Sequence, residues 1–255
     1  MVICNVKDRH QGPIQINLDK ISGTVDTAFF NFIENPNVLS TINYEMNGRF
    51  LIIKPVKDND FYGTYQDNFY SEYDDFEGKD ITYYMDSKCN KIYIKYPAEH
   101  VIEGLNYDLE LQLFCSSIPL YVSTSSTKDT KISIMVKVIN DSSNSNTEES
   151  IFFKEFGDIK IDSQLNINGL GEILNVFLTT KGIVYYNGTP DFPPCNPLLN
   201  YFVAINDNFF ITKSKFDNLI SIVKTEYTKN GNNRKASLPS EEKGKNRLYY
   251  NNYSK

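Results

Sequence analysis

Apolar and polar positions alternate through residues 91–115 and predict two adjacent β-strands separated by a turn. The first strand places Ile92 and Ile94 on one face and Tyr93 and Lys95 on the other, because successive side chains of a strand point to opposite faces. The second strand alternates in the same way, with faces formed by Leu109, Leu111 and Leu113 and by Glu110, Gln112 and Phe114. One face of this strand pair is therefore apolar, and the other carries polar and charged groups.

Other segments predict further elements of a β-rich chain. Residues 131–138 predict a buried strand, and Asn47-Gly48 predicts a hairpin turn between two apolar runs. Helical spacing of apolar residues after the pair Ser214 and Asp217, which resembles a capping box, predicts a short amphipathic helix. No internal repeat or linker divides the sequence, so residues 1–255 are expected to form a single domain.

Composition narrows the possible partners. The net charge is −6 and the isoelectric point is near 5.1, and clustered Lys and Arg are scarce before residue 229, which disfavours nucleic-acid binding. No stretch approaches the roughly 20 apolar residues of a membrane span. The first residues do not form a signal peptide, because no apolar core follows a basic start. The chain is therefore expected to have no transmembrane segment and no nucleic-acid partner.

Several motifs occur in a defined order along the chain. The segments at residues 11–17, 186–195 and 233–249 carry Gln11-Gly12-Pro13-Ile14, Tyr186-Asn187-Gly188 and Asn246-Arg247-Leu248. The central stretch adds a set of turn and strand residues, Pro97, Glu99, His100, Gly104, Tyr107 and Glu110. Together these motifs resemble the α-type carbonic anhydrases from about Gln11 to Tyr249. The resemblance implies a mixed, mainly β fold, with a large, mostly antiparallel central sheet and short peripheral helices.

The same resemblance marks where the metal site of that family would lie. Its three zinc-ligand histidines are replaced by Tyr93, Lys95 and Gln112, its proton-shuttle histidine by Arg49, and its gate threonine by Asp191. Supporting positions of the family are kept as Glu99, His100 and Glu110. Zinc hydroxide catalysis needs neutral ligands around an open metal position. The sequence therefore predicts a pseudoenzyme: an inactive member without zinc or any other cofactor.

Lys95 shares a face with Tyr93, so its ammonium is expected to project into the former metal site. A buried ammonium requires a partner, and the candidates are Glu99, Glu110 and Asp191. Paired carboxylates near a lysine can also perform acid–base chemistry. The sequence leaves two interpretations: that these groups neutralise Lys95, or that they serve a different, non-zinc reaction.

Four cysteines are present. The motifs around Cys4 and Cys195 resemble positions that are disulfide-bonded in extracytoplasmic family members, which implies the same bond here and an oxidising compartment. That compartment is a secreted or surface location, or the mitochondrial intermembrane space. Strand alternation places Cys89 and Cys115 on opposite faces, which predicts two buried thiols rather than a second disulfide.

Residues 58–80 contain eight acidic and seven aromatic residues and are longer than the corresponding family segment. They are interpreted as an insertion, either a solvated loop or a docking surface. The first functional hypothesis is a non-catalytic structural or binding protein that is a subunit of a larger assembly of protein partners. The alternatives are a glycosaminoglycan-binding surface-adhesion module and an enzyme of different chemistry. The acidic balance argues against the first alternative, since sulfated chains favour a basic surface.

Overall fold

The computed structural model describes residues 13–20, 23–24, 31–35, 37–45, 50–74, 79–117, 129–141, 147–169, 183–188, 199–205, 208–223 and 249–251. Side chains are described for most, but not all, of these residues. The strands are β1 (Gln15–Ile16), β2 (Gly23–Thr24), β3 (Asn31–Glu34), β4 (Val38–Glu45), β5 (Phe50–Pro55), β6 (Gly63–Asp74), β7 (Lys79–Lys95), β8 (Val101–Ile102), β9 (Leu105–Asn106), β10 (Leu109–Ser117), β11 (Thr130–Ile139), β12 (Gln164–Ile167), β13 (Ile183–Gly188), β14 (Leu199–Ala204), β15 (Phe210–Thr212) and β16 (Tyr249–Asn251). One α-helix, α1 (Lys213–Ser221), and 3-10 turns at Leu18–Lys20 and Ile151–Phe153 complete the described elements.

A mixed sheet of 13 strands dominates the described part of the fold. Its main path is β12-β4-β5-β7-β10-β11-β14-β13-β16-β2, and β15, β3 and β6 join at its sides. Most neighbours are antiparallel, and the parallel pairs in this sheet are β11–β14, β11–β15 and β16–β2. A separate three-stranded sheet joins β1, β8 and β9. The predicted mainly β architecture with a large, mostly antiparallel sheet is confirmed.

The two faces of the central strands bury different kinds of side chain. One face carries Ile92, Leu111 and Ile134 into the larger apolar core, which also contains a cluster of phenylalanines formed by Phe152, Phe153, Phe156 and Phe209. The opposite face carries Lys95 and Gln112, together with a smaller core that includes Tyr186 and Tyr201. The alternation in the sequence thus places the polar groups of the central strands in the interior.

The cysteine prediction for the central strands is wrong. Cys89 and Cys115 form a disulfide and are Cα partners in the β7–β10 ladder. The pairing shifts between Phe114, opposite Lys91, and Cys115, opposite Cys89, so that Asn90 is an extra residue in β7. This β-bulge reverses the alternation and turns Cys89 toward the apolar core. Alternation counted back from Tyr93 therefore assigns Cys89 to the wrong face, because it does not allow for the extra residue Asn90.

Residues 58–80, interpreted as an insertion that is either a solvated loop or a docking surface, are mostly strand. Residues 63–74 form β6, which pairs in antiparallel register with β7 from Gly63↔Cys89 to Asp74↔Lys79. The β4–β5 hairpin is present with Glu45 opposite Phe50, although the Asn47-Gly48 turn itself lies outside the described residues.

The predicted helix is confirmed as α1, but its predicted capping box is wrong. Thr212 is the N-cap residue and makes no side-chain capping bond. Asp141 lies two residues after the end of β11. Its carboxylate accepts hydrogen bonds from both the backbone N–H and the hydroxyl of Ser214. These bonds lower the pKa of the Asp141 carboxyl. A residue distant in sequence therefore supplies the carboxylate at the helix N-terminus, where it is favoured.

Candidate functional site

The residues predicted at the former metal site are brought together on adjacent strands. Tyr93 of β7 and Gln112 of β10 are Cα partners, and Glu110 pairs with Lys95 two residues along the same ladder. Because side chains of paired residues lie on the same face, these residues form one cluster on the polar face of the sheet. Lys95, Gln112 and Glu110 are fully buried, and Tyr93 nearly so.

Lys95 points into this cluster, and its ammonium has a carboxylate partner. Its Nζ donates a hydrogen bond to Glu99 Oε1 at 3.1 Å, and both side chains are almost fully buried. The Lys95 ammonium also lies 5.8 Å from the centroid of the Tyr93 ring, within the range of a cation–π contact. The expectation that Lys95 faces inward and pairs with a carboxylate is confirmed, and the carboxylate is Glu99.

Glu110, the second carboxylate, has a different role. Its Oε2 accepts hydrogen bonds from the backbone N–H groups of Glu99 at 2.8 Å and His100 at 3.0 Å. Its Oε1 lies 2.7 Å from His100 Nδ1 and accepts from Gln112 Nε2 at 2.8 Å. Burial by itself raises the pKa of the Glu110 carboxyl, but the charge of His100 and these hydrogen bonds lower it to about 2. Glu110 is therefore an anion that fixes the turn after β7.

His100 extends this network to the neighbouring part of the sheet. Its Nδ1 faces the ionised Glu110 and therefore carries a proton, while its Nε2 lies 2.6 Å from the Tyr186 hydroxyl. Tyr186 stacks on Tyr201 with ring centroids 4.8 Å apart. His100 thus connects the turn after β7 to β13 and β14, and both of its ring nitrogens are engaged in these contacts.

Lys131 of β11 is a second buried lysine that the sequence analysis did not single out. Its Nζ donates to Gln112 Oε1 at 3.1 Å and lies 5.3 Å from the Tyr93 ring centroid. The signal was present in the sequence, because Lys131 and Ser133 alternate with Ile132 and Ile134 in a strand predicted to be buried. The Tyr93 ring therefore contacts the ammonium groups of both Lys95 and Lys131.

Gln112 connects these charges, and its contacts determine the orientation of its amide. Its Nε2 donates to Glu99 Oε2 at 3.1 Å and to Glu110 Oε1, whereas its Oε1 accepts from Lys131. Rotating the amide by half a turn would set N–H groups against the Lys131 ammonium and a carbonyl against two carboxylates. The network consequently fixes one orientation.

A zinc ion does not fit the groups at these positions. Lys95 is a cation, the only oxygen of the Gln112 side chain is already bonded to the Lys131 ammonium, and the Tyr93 hydroxyl donates to Glu45 Oε2 at 2.8 Å. Within the described residues, no group of three or more His, Cys, Asp or Glu side chains is arranged to hold a metal ion. The remaining predicted site residues, Arg49 and Asp191, and the predicted Cys4–Cys195 pair lie outside the described residues.

Comparison with known proteins identifies the fold. Searches against protein-family models and curated sequences find no match. Solved structures match over nearly the whole chain. The α-carbonic anhydrase of Thermovibrio ammonificans, in complex with the inhibitor sulfanilamide, has a TM-score of 0.62 at 12% identity, covering 94% of this chain and 87% of that one. The fungal α-carbonic anhydrase of Aspergillus oryzae has a TM-score of 0.64 at 14% identity, covering 93% and 84%. Dioscorin complexed with ascorbate has a TM-score of 0.63 at 15% identity, covering 96% and 87%.

These matches establish that the chain has the α-carbonic anhydrase fold, as its motifs indicated. They do not show its activity, since one fold hosts many functions.

In the described part of the chain, no helix has both the length and the apolar character needed to span a bilayer.

Proposed function

We propose that this chain is a non-catalytic protein with the α-carbonic anhydrase fold, acting as a structural or binding subunit of a larger protein assembly. The observation that carries the proposal is the set of contacts made by Lys95, Gln112 and Lys131. Lys95 and Gln112, which the resemblance aligns with two of the three zinc ligands, are bonded to Glu99 and to the Lys131 ammonium. Zinc-bound hydroxide requires neutral or anionic ligands and an open coordination position. The lysines provide neither.

An enzyme of different, non-zinc chemistry is less well supported. The groups that would perform acid–base work, Lys95, Glu99 and Glu110, are at most 2% exposed. Lys95 is bonded to Glu99, and Gln112 bonds to both glutamates. A general acid or base must come within hydrogen-bond reach of a substrate. Burial and mutual pairing favour a structural role in which the carboxylates offset the charge of the lysines.

A glycosaminoglycan-binding role is also less well supported. Sulfated chains are attracted to a basic surface, whereas this chain has a net charge of −6. The fold itself is compatible with ligand binding, because a protein of this fold, dioscorin, has been crystallised with ascorbate. A binding role through protein contacts is the function that agrees with the buried site and the acidic charge.

The proposed location is an oxidising, extracytoplasmic compartment. The Cys89–Cys115 disulfide supports it, since disulfides persist where thiols are not kept reduced. Non-reducing peptide mapping of protein from its source should recover the Cys89–Cys115 pair together with the predicted Cys4–Cys195 pair. Recovery of all four as free thiols would contradict this location.

Two measurements test the proposed function together. Purified protein supplied with zinc should hydrate carbon dioxide no faster than buffer, while circular dichroism shows it folded. In a native extract of its source, the chain should migrate with a complex well above its own 29.4 kDa. Zinc-dependent turnover would refute the non-catalytic role, and migration as a lone chain would refute the role as a subunit.

A further inference from the structure

Lys131 and Gln112 face each other diagonally across the β10–β11 ladder. Gln112 is the Cα partner of Ser133, and Lys131 precedes Ser133 by two residues, so both side chains leave the same face of the sheet. Diagonal neighbours on one face are within reach of long side chains. Lys131 Nζ lies 3.1 Å from Gln112 Oε1, and both residues are fully buried. A lysine nitrogen and a carboxamide therefore meet inside the protein.

The Gln112 amide is held in the orientation that an attack by Lys131 requires. Its carbonyl side faces Lys131, while its nitrogen donates to Glu99 Oε2 at 3.1 Å and to Glu110 Oε1 at 2.8 Å. Since a carbonyl bond is about 1.2 Å long, Lys131 Nζ lies no more than about 4.3 Å from the amide carbon. Reacting atoms in a near-attack arrangement are about 3–3.5 Å apart. A small rotation of either side chain closes the remaining distance.

The surroundings of this pair favour a reaction between the two side chains. The Tyr93 and Tyr201 ring centroids lie 5.3 Å and 5.8 Å from Lys131 Nζ, and both tyrosines are almost fully buried. Excluding water from a site suppresses hydrolysis, which would otherwise compete for the amide. Holding an amine beside its target raises its effective concentration by many orders of magnitude. The fold thus supplies both proximity and protection from water.

We propose that Lys131 and Gln112 form an intramolecular isopeptide bond in the folded chain, with release of ammonia as ammonium. The bond from Lys131 Nζ to Gln112 Cδ forms, and the bond from Cδ to Nε2 breaks. The Lys131 ammonium loses two protons as it becomes an amide N–H, and the departing NH₂ group takes up two and leaves as ammonium. Atoms and charge therefore balance without an oxidant, a reductant or another reactant.

Glu99 and Glu110 are the groups placed to move these protons. Both accept a hydrogen bond from the nitrogen that departs, and a carboxyl group at that position can protonate a leaving amine. One amide is exchanged for another, so the escape of ammonium into solvent draws the reaction forward.

The neighbouring pair of Lys95 and Glu99 provides an internal comparison. Its atoms are also 3.1 Å apart and buried, but the group facing the lysine is a carboxylate. A carboxylate is a poor electrophile because it is negatively charged, and its condensation with a lysine would release water instead of ammonia. The two candidate bonds therefore differ in the mass that the chain loses.

The proposed bond would join two central strands of the sheet covalently. Unlike the Cys89–Cys115 disulfide, an amide is not opened by reductants, so the link would persist in any redox environment. The inference goes beyond the proposed subunit role and does not depend on it.

Peptide mapping of the full chain tests the proposal. Folded protein, verified by circular dichroism, is incubated for several days at neutral pH, denatured, reduced, alkylated and digested with trypsin. Without the bond, cleavage after Lys128 and Lys131 separates residues 96–128, which contain Gln112, from the rest. With the bond, trypsin cannot cleave after Lys131. Residues 96–128 then stay attached to residues 129–137 in a branched peptide that is lighter by one ammonia than its two parts.

Two matched variants identify the lysine. Lys131→Arg keeps the positive charge but removes the primary amine, so it should give no branched peptide. Lys137→Arg is the same change on the same strand and should give the branched peptide as the wild type does.

Folded wild type that yields only unbranched peptides would overturn the proposal, and so would a branched peptide that persists in Lys131→Arg. Loss of water with a bond between Lys95 and Glu99 in its place would do the same. None of these outcomes depends on zinc, carbon dioxide hydration or a partner, so the test is separate from that of the proposed function.

Discussion

Lys95 and Lys131 show, at the scale of single residues, how two buried lysines are accommodated on the polar face of the sheet. Lys95 pairs with Glu99, Lys131 bonds to Gln112, and Gln112 bonds to both Glu99 and Glu110. This network contains two ammonium groups and two carboxylates, so the charges of its lysines and glutamates balance. Buried ions persist when they are paired and hydrogen-bonded in this way.

Replacing Lys95 with methionine should therefore destabilise the fold by about 3–5 kcal/mol, because Glu99 would remain buried with one hydrogen-bond donor fewer. The matched control is Lys91→Met on the same strand. Lys91 pairs with Glu45 at 2.5 Å, but its side chain is 31% exposed, and such pairs contribute about 0–1 kcal/mol. Urea unfolding of the wild type and the two variants measures how far each substitution lowers the free energy of unfolding. A Lys95→Met protein with the stability of the wild type would contradict the assignment of Lys95 to the buried network.

The lowered pKa of Glu110 predicts that the stability of the fold depends on pH. Its pKa in the folded protein is about 2, against 4.5 for the free side chain. The unfolded chain therefore binds more protons between these values, and the free energy of unfolding should fall as the pH drops from about 4.5 toward 2. Above pH 4.5 the contribution of Glu110 is fully present, and its magnitude is on the order of 3 kcal/mol.

Carbon-13 NMR of the carboxyl groups, together with urea unfolding at each pH, measures this effect. The Glu110 signal should remain that of a carboxylate at pH 3, where exposed glutamates are protonated. Protonation of Glu110 at pH 4 or above in the folded protein would contradict the network around His100.

The central strands show what local sequence can predict at the scale of an element. Alternation predicted β7 and β10 and the polar face that they share, because their side chains keep a period of two between Lys91 and Lys95 and between Leu109 and Phe114. It failed at Asn90, where one extra residue turns Cys89 toward the apolar core and into a disulfide with Cys115. Neither the bulge nor the partner strand is visible in a single strand's pattern.

Strand β13 offers a test of packing at this scale. A Cβ atom on Gly188 would lie 2.9 Å from Tyr186 Cε2 and 3.0 Å from Tyr201 Cε2, closer than side-chain atoms normally approach. Gly188→Ala should therefore force the stacked rings apart and destabilise the protein by about 1–3 kcal/mol. The displaced Tyr186 ring should also weaken its contact with His100 Nε2.

Gly157→Ala is the control, since nothing lies within 4 Å of a Cβ built there. Thermal unfolding of both variants should show a lower midpoint for Gly188→Ala only. Equal midpoints would mean that the tyrosine pair does not pack against Gly188 in the described way.

At the scale of the whole molecule, the motifs predicted more of the fold than any periodicity did. Residues such as Pro97, Gly104 and Tyr107 indicated the α-carbonic anhydrase fold, and solved structures at 12% to 15% identity match that fold over more than 90% of the chain. The same motifs indicated which residues would meet at the polar face, since Tyr93, Lys95 and Gln112 lie on paired strands. They did not reveal Lys131, because β11, the strand that carries it, belongs to no motif.

The polar face of the central strands should hold no zinc, because charged and amide groups already bond to one another there. The direct measurement is equilibrium dialysis of the folded wild type against zinc, with metal content read by mass spectrometry. A matched variant carries Tyr93→His, Lys95→His and Gln112→His, which place histidine at the three positions that the resemblance aligns with zinc ligands, while circular dichroism verifies the fold. The wild type should retain well below one zinc per chain, and the variant should retain more, because neutral imidazoles replace the Lys95 ammonium and the Gln112 amide. A wild type that holds close to one zinc per chain, and loses it when Gln112 alone is changed to alanine, would contradict the account.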